Sequence, residues 1–329
     1  MATIDVHTHM FTQGWLDLLK AKGGAFNLQT RPDGKQEIFR GKTPVVIPQV
    51  GHFDYELRIK EMDRYGIDIS IVSLTCPNVY WGDGDSGATS LQAAKESNDS
   101  MHAAQARWPD RIRWFTSLPW EYPDLAIAEL ERTVANGAVG VMVLGNIAGR
   151  SLTDPLFAPV WAAIDAKGLP VLVHPTDPLG AEAMGITPHN LFWSTGFTYD
   201  TTLAVAKMIF SGFFDRYTNL KIIASHGGGT LPYLVGRFDM GDKVEFDHLR
   251  EIKRKPSEYL RHIYYDSITY DLAPLKYLIE VAGASQVMLG TDWPHRVHEA
   301  DVAISRLDAL PADQRAGILD GNAKRIFKL

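Results

Sequence analysis

Eight short runs of apolar and β-branched residues recur along the 329-residue chain with longer amphipathic stretches between them, and few folds accommodate that rhythm. They are TIDVHTHM (3–10), DISIVSL (68–74), IRWFTSLP (112–119), AVGVMVLG (138–145), LPVLVHP (169–175), LKIIASHG (220–227), HIYYDSI (262–268) and QVMLGTDWP (286–294). Between them, PDLAIAELERTVANG starts at Pro123, keeps its apolar residues at helical spacing and closes on Gly137, and a similar stretch runs from Asp154 to Gly168. Eight strands alternating with helices predict an α/β fold closed as a (β/α)8 TIM barrel. Barrels of this size commonly form one domain, so residues 1–329 are read as one. The exception to the rhythm is residues 22–52, between the first strand and a helix around Tyr55 to Tyr65. A loop that long is functional or disordered, and two alternating runs about a Pro32-Asp33-Gly34 turn predict an inserted hairpin flap over the barrel mouth.

Composition narrows the partners. The net charge is −6 and neither end carries a basic run, which argues against binding a nucleic-acid backbone and leaves a small uncharged or anionic substrate open. No stretch approaches the ~18 apolar residues of a membrane span, and MATIDV leads straight into a strand without a signal-peptide pattern. The single Cys76 excludes an internal disulfide, is read as a buried structural thiol and fits a reducing compartment. A soluble cytoplasmic protein is expected.

Barrel enzymes assemble their sites where the βα loops converge, at the C-terminal ends of the strands. His7 and His9 end the first run, His174 the fifth, His226 the sixth and Asp292 the eighth. Side chains alternate along a strand, so His7 and His9 share a face while Thr8 points away. Any one of these histidines alone would be read as hydrogen-bonded core; together at one end of a barrel they read as a metal site. Neutral imidazole and carboxylate suit zinc, and a catalytic ion keeps a position open. His7, His9, His174 and Asp292 could fill the shell, leaving His226 free as a base. The fourth run ends VMVLGN, with no lysine or acid to bridge a second cation, so one divalent ion is expected. Trp81, after the second run, is a candidate pocket residue, although an isolated aromatic is more often packing. His52, His295 and His298 are placed near the barrel top in supporting or surface roles. HGGG at 226–229 has no G-x-S-x-G elbow to make an esterase, and its glycines are read as letting backbone pass close to the pocket.

The segments IDVHTHMF, FDYELRIKEMDRYGID, VLVHPTD, SHGGGTLPYLVGRFD, KPSEYLRHIYYDS, VMLGTDWP and GNAKRIF together make the chain similar, over nearly its whole length, to the amidohydrolase superfamily. Within it, SHGGG, GRFD and GTDWP resemble the branch typified by aminocarboxymuconate semialdehyde decarboxylase. The resemblance implies that His7, His9, His174 and Asp292 are metal ligands, with Asp292 also in the catalytic set. It implies that His226 activates metal-bound water or handles the substrate proton, and that Trp193 walls the substrate pocket. Arg237 matches an arginine that reaches a carboxylate in the neighbouring subunit's site, which implies a homodimer. One position departs: Val46 stands where the family's decarboxylase has a second substrate-binding arginine. The expected activity is metal-dependent, non-oxidative decarboxylation of an aromatic or unsaturated carboxylic acid, with zinc or alternatively manganese. The alternative is a hydrolase or hydratase acting on a lactone, amide or unsaturated acid, because a metal that lowers its water's pKa toward ~7 serves either chemistry.

Overall fold

Near-continuous apolar runs are what a strand buried on both faces requires, and all eight form strands in the computed structural model, which describes residues 2–81, 87–178, 180–181, 183–186, 188–244 and 251–329. In chain order the strands are β1 (Ile4–Met10), β2 (Phe26–Thr30), β3 (Gln36–Arg40), β4 (Thr43–Val46), β5 (Ile69–Leu74), β6 (Ile112–Thr116) and β7 (Gly140–Leu144). A two-residue ribbon follows, β8 (Asn146–Ile147) with β9 (Arg150–Ser151), then β10 (Pro170–His174), β11 (Lys221–Ala224), β12 (Tyr264–Asp266) and β13 (Val287–Met288). The barrel is one eight-stranded sheet in the order β1-β5-β6-β7-β10-β11-β12-β13, with every neighbouring pair parallel.

Its two edges meet beyond the short β13. Val6 N–H donates to Leu289 O at 2.9 Å and Asp292 N–H to His7 O at 2.9 Å. Asp5 strengthens this seam by accepting from the Thr291 hydroxyl at 2.6 Å, although burial pushes its carboxyl up to about 6. From outside, the helix Tyr55–Tyr65 sends Arg58 into the same seam, where it donates to Thr8 Oγ1 at 2.6 Å and to His9 O and lies 4.5 Å above the Trp293 ring.

Local signals account for the helices. Pro123 opens the helix Pro123–Ala135, and Gly168 closes Ala158–Lys167 in the left-handed conformation, φ 58°. The flap forms the expected hairpin, with Phe26 opposite Arg40 and Thr30 opposite Gln36. It also has a third strand, β4, that the sequence does not reveal, because Pro44 masks it; on the edge of a sheet a proline costs no ladder bond. Two ion pairs brace the flap: Arg31 to Glu37 at 2.8 Å within it, and Arg40 to Asp177 across to the loop after β10. Among the described residues no helix is long and apolar enough to cross a membrane.

Candidate active site

The strand register sets His7 and His9 side by side, both fully buried, at the C-terminal end of β1. Their Nε2 atoms are 3.0 Å apart, and Asp292 Oδ1 lies 3.6 Å from the first and 3.2 Å from the second. The His174 ring, at the end of β10, stands 5.1 Å from that of His7 and 4.8 Å from that of His9. His226 follows β11 on a sharp turn, φ 53°, and puts Nε2 3.7 Å from Asp292 Oδ2. The glycines after it make this turn possible: at Gly228, φ 78°, a Cβ would sit 2.7 Å from the Tyr265 ring. The structure thus gathers all five residues that the strand-end rule selects.

Each of the three most buried rings has its far nitrogen tied. His7 Nδ1 donates to Asp266 Oδ2 at 2.6 Å, and His174 Nδ1 donates to Pro175 O at 2.8 Å. His9 Nδ1 meets Ser73 Oγ at 3.1 Å. Such bonds fix an imidazole's tautomer and aim its other nitrogen, which is how histidine ligands are usually held. His226 differs, because its Nδ1 is buried with no hydrogen-bond partner among the described residues.

Asp266 is the residue that the sequence reading misses. At the end of β12, fully buried, it accepts from His7 Nδ1 and from the backbone N–H groups of His226 (2.8 Å), Gly227 (2.9 Å) and Ile268 (3.0 Å). One carboxylate therefore positions both His7 and the His226 turn. The signal was the strand-end rule itself, applied to the D of HIYYDSI.

The electrostatics ask for positive charge at the centre. Burial pushes His9 and His174 well below the ordinary imidazole range, keeping both neutral. Burial also opposes charge on Asp292, but His295, His226 and His9 around it outweigh that and hold the carboxyl well below its usual range. His7 is raised although burial opposes it, because Asp266 is hydrogen-bonded to it. Two imidazole nitrogens and a carboxylate oxygen at these spacings need a proton or a cation between them, and this nitrogen-rich donor set fits a divalent metal. Two sets of ligand atoms fall within 4.8 Å of one another: His7, His174, His226 and Asp292; and His9, Asp292 and His295.

A cavity of about 360 Å³ lies against this cluster. Pro44, Val45, Val46 and Ile47 of the flap form one wall, and Cys76, Trp193, Phe197, His295 and Arg296 line the rest. A second cavity of about 690 Å³ shares Trp193, Phe197 and His226 with it and is otherwise mostly apolar. Trp193 is thus a wall of both. Trp81 lines neither: its indole donates to Asn78 O at 3.0 Å and packs edge-on to Trp15, placing it in a separate 220 Å³ cavity beneath the flap. Of the two roles expected of Trp81, this placement away from the metal-side cavity favours packing. Arg237 is exposed on the helix Leu231–Val244 and lines none of these cavities in its own chain. His295 is closer to the chemistry than expected, its ring 4.8 Å from that of His9 and 4.9 Å from that of His52, whose Nδ1 accepts from Gln49 N–H. His298 accepts from Ala300 N–H at 3.3 Å and stays outside the cluster.

Comparisons with known proteins agree with this geometry. The family model described as Amidohydrolase matches residues 4–329. The chain is 30% identical over 333 residues to a 2-amino-3-carboxymuconate-6-semialdehyde decarboxylase of Dictyostelium discoideum, covering 99% of this chain and 91% of that one. It is 32% identical over 292 residues to a gamma-resorcylate decarboxylase of a Polaromonas species, covering 83% and 86%. A dihydroxybenzoic acid decarboxylase from Polaromonas, solved with manganese and the inhibitor 2-nitroresorcinol, superposes with a TM-score of 0.83 at 27% identity over 100% of this chain and 97% of that chain.

Proposed function

The chain belongs to the amidohydrolase family, and from that premise we propose that it is a metal-dependent, non-oxidative decarboxylase of an aromatic or unsaturated carboxylic acid. The observation that carries this reading is the contrast among the histidines. His7 and His174 donate through Nδ1 and so offer Nε2 lone pairs, as ligands must, with His9 anchored on Ser73. Among the described residues His226 has no acceptor for a proton on its buried Nδ1, and a buried N–H without a partner costs about 1–3 kcal/mol. A proton on Nε2 faces the cluster, so the ring is placed as a proton donor beside a metal site.

His7, His9, His174 and Asp292 would hold the ion, which when bound supplies Lewis acidity toward a substrate oxygen. Trp193 and Phe197 wall the cavity and position the substrate ring; the flap residues 44–47 close it against water. His226 Nε2 places its proton on the ring carbon that bears the carboxylate, the ring's π electrons making the new bond; breaking the bond to the carboxylate then releases carbon dioxide and returns that electron pair to the ring. Water then returns a proton to His226, and the hydroxide it leaves combines with the carbon dioxide as bicarbonate. Zinc suits three imidazoles and a carboxylate, with manganese, present in the Polaromonas neighbour, as the alternative.

We also assign a homodimer. Tyr199, Leu203 and Phe210 lie at helical spacing along Phe197–Phe210, and Tyr233, Met240 and Val244 along Leu231–Val244; all are exposed. The Phe210 and Phe238 rings meet at 5.7 Å, so the two stripes adjoin. A contiguous exposed apolar face marks an interaction surface, and a second copy offers the matching one. Arg237 lies within it, where it reaches an acid group in the neighbouring site. Mixing Arg237→Ala with Asp292→Ala protein should then restore one working site per heterodimer; no recovery despite subunit exchange would remove the shared site.

The test of the activity itself is carbon dioxide release from 2,6-dihydroxybenzoate and related acids by metal-loaded protein, with elemental analysis. One equivalent of zinc or manganese per chain and stoichiometric carbon dioxide are expected. Cleavage of lactones or amides with no carbon dioxide would transfer the site to hydrolysis.

A further inference from the structure

We propose that Arg296 binds a second anionic group that the substrate retains through the reaction, so that the preferred substrate is a doubly anionic aromatic acid. The inference rests on the decarboxylase reading above. It begins with the cations around the metal-side cavity. Arg31 pairs with Glu37 at 2.8 Å and Asp33 at 3.6 Å, and Arg40 pairs with Asp177, so both flap arginines are already engaged. Val46, which faces the cavity from the flap, brings no charge. Among the described residues lining that cavity, Arg296 is the only lysine or arginine. It is exposed, and it makes no hydrogen bond or ion pair with another described residue. Glu37, the acid on the flap side of the cavity, is held by Arg31 and leaves Arg296 free for a ligand.

The backbone places Arg296 next to the cluster, on the wall of the metal-side cavity. Arg296 follows His295, whose ring lies 4.8 Å from that of His9, and comes four residues after Asp292. A planar guanidinium fork matches a carboxylate with two parallel hydrogen bonds, so the chemical class it selects is a carboxylate or a similar oxyanion.

The reaction decides which anion it takes. A carboxylate that leaves as carbon dioxide loses its charge as the bond breaks. A cation fixed on it would stabilise the ground state more than the transition state and slow the reaction. An anionic group that stays on the ring keeps its charge throughout, so binding it costs no rate and fixes the ring's orientation. An unpaired arginine on the wall of a decarboxylase cavity is therefore suited to the group that does not leave.

Isophthalate and benzoate, which differ by one carboxylate, isolate this contact. Calorimetric titration of the metal-loaded protein should show isophthalate binding about tenfold more tightly than benzoate, equivalent to about 1.4 kcal/mol. Arg296→Gln should abolish that preference while leaving benzoate affinity and metal content within about twofold, and Arg296→Lys should keep part of it. With 4-hydroxyisophthalate as substrate, Arg296→Gln should raise KM about tenfold and leave kcat within about twofold. Equal affinity for the two acids in the unaltered protein, survival of the preference in Arg296→Gln, or equal weakening of both acids would overturn the assignment. The binding arm needs no turnover. A preference that disappears in Arg296→Gln while no carbon dioxide is released would sink the decarboxylase reading and leave Arg296 standing; carbon dioxide release without the preference would do the reverse.

Discussion

The ring of strand ends and the rim above it are built in opposite ways. In the ring, His7, His9, His174, Asp266 and Asp292 are all buried, and side-chain hydrogen bonds tie strand to strand: β1 to β12 through His7 and Asp266, β1 to β5 through His9 and Ser73. In the rim, the flap packs Ile38 and Val46 into the core, its ion pair to the barrel is Arg40 with Asp177, still partly open to water, and Arg296 has no described partner. A metal site needs fixed lone pairs, which rigid strands supply; a substrate must enter and leave, which a rim with exposed, exchangeable polar contacts permits. On the proposed reading the chemistry belongs to the ring and the choice of substrate to the rim, and each half of that division can be attacked separately.

The largest effect should come from His226, at the edge of the ring. His226→Gln should lower kcat by about 10²- to 10⁴-fold, the usual contribution of a general acid or base, with bound metal retained. His174→Ala should lose the metal as well. Metal analysis of both variants checks the distinction, and equal loss of metal from both would make His226 a ligand.

Asp266→Asn comes next. The amide cannot accept from His7 Nδ1 and three backbone N–H groups as a carboxylate does, so His7 loses its aim and the His226 turn its anchor. Partners of this kind are worth about 10- to 100-fold in metal affinity or activity. Metal affinity from a chelator competition should fall within that range, and unchanged affinity would show that the ring is less interdependent than its hydrogen bonds indicate.

That residue also marks how far the sequence could be read. The strands were legible because β-branched runs and helix caps are local signals, and the histidines and Asp292 because a barrel converges all its strand ends. Asp266 obeys the same rule, yet its role depends on His7, 259 residues away, and in HIYYDSI it looks like the polar tail of a short strand. Trp81 is placed apart from the cluster for a neighbouring reason. Closeness in sequence to a strand end suggested the pocket, but Asn78, at φ 57°, turns the chain and its carbonyl takes the indole N–H. The flap's third strand hid behind Pro44, whose effect on a strand depends on whether that strand lies at an edge.

The smallest effect is expected at the rim, and it tests the comparison from the other side. Arg40→Met removes the pair with Asp177 while keeping an unbranched stem near the Phe26 ring, over which the guanidinium sits at 6.0 Å. With the arginine side chain 37% exposed, the pair is worth at most about 0.2–1 kcal/mol, so Tm should fall by about 2 °C or less. The flap would close the cavity less firmly, and KM should rise about two- to fivefold with kcat and metal content unchanged. Raising the ionic strength on the unaltered protein should reproduce part of the KM change, because salt screens an exposed pair and leaves the buried ring untouched. If Arg40→Met instead lowered kcat more than about tenfold at full metal occupancy, the flap would be taking part in the chemical step, and the division between ring and rim would fail where it is easiest to test.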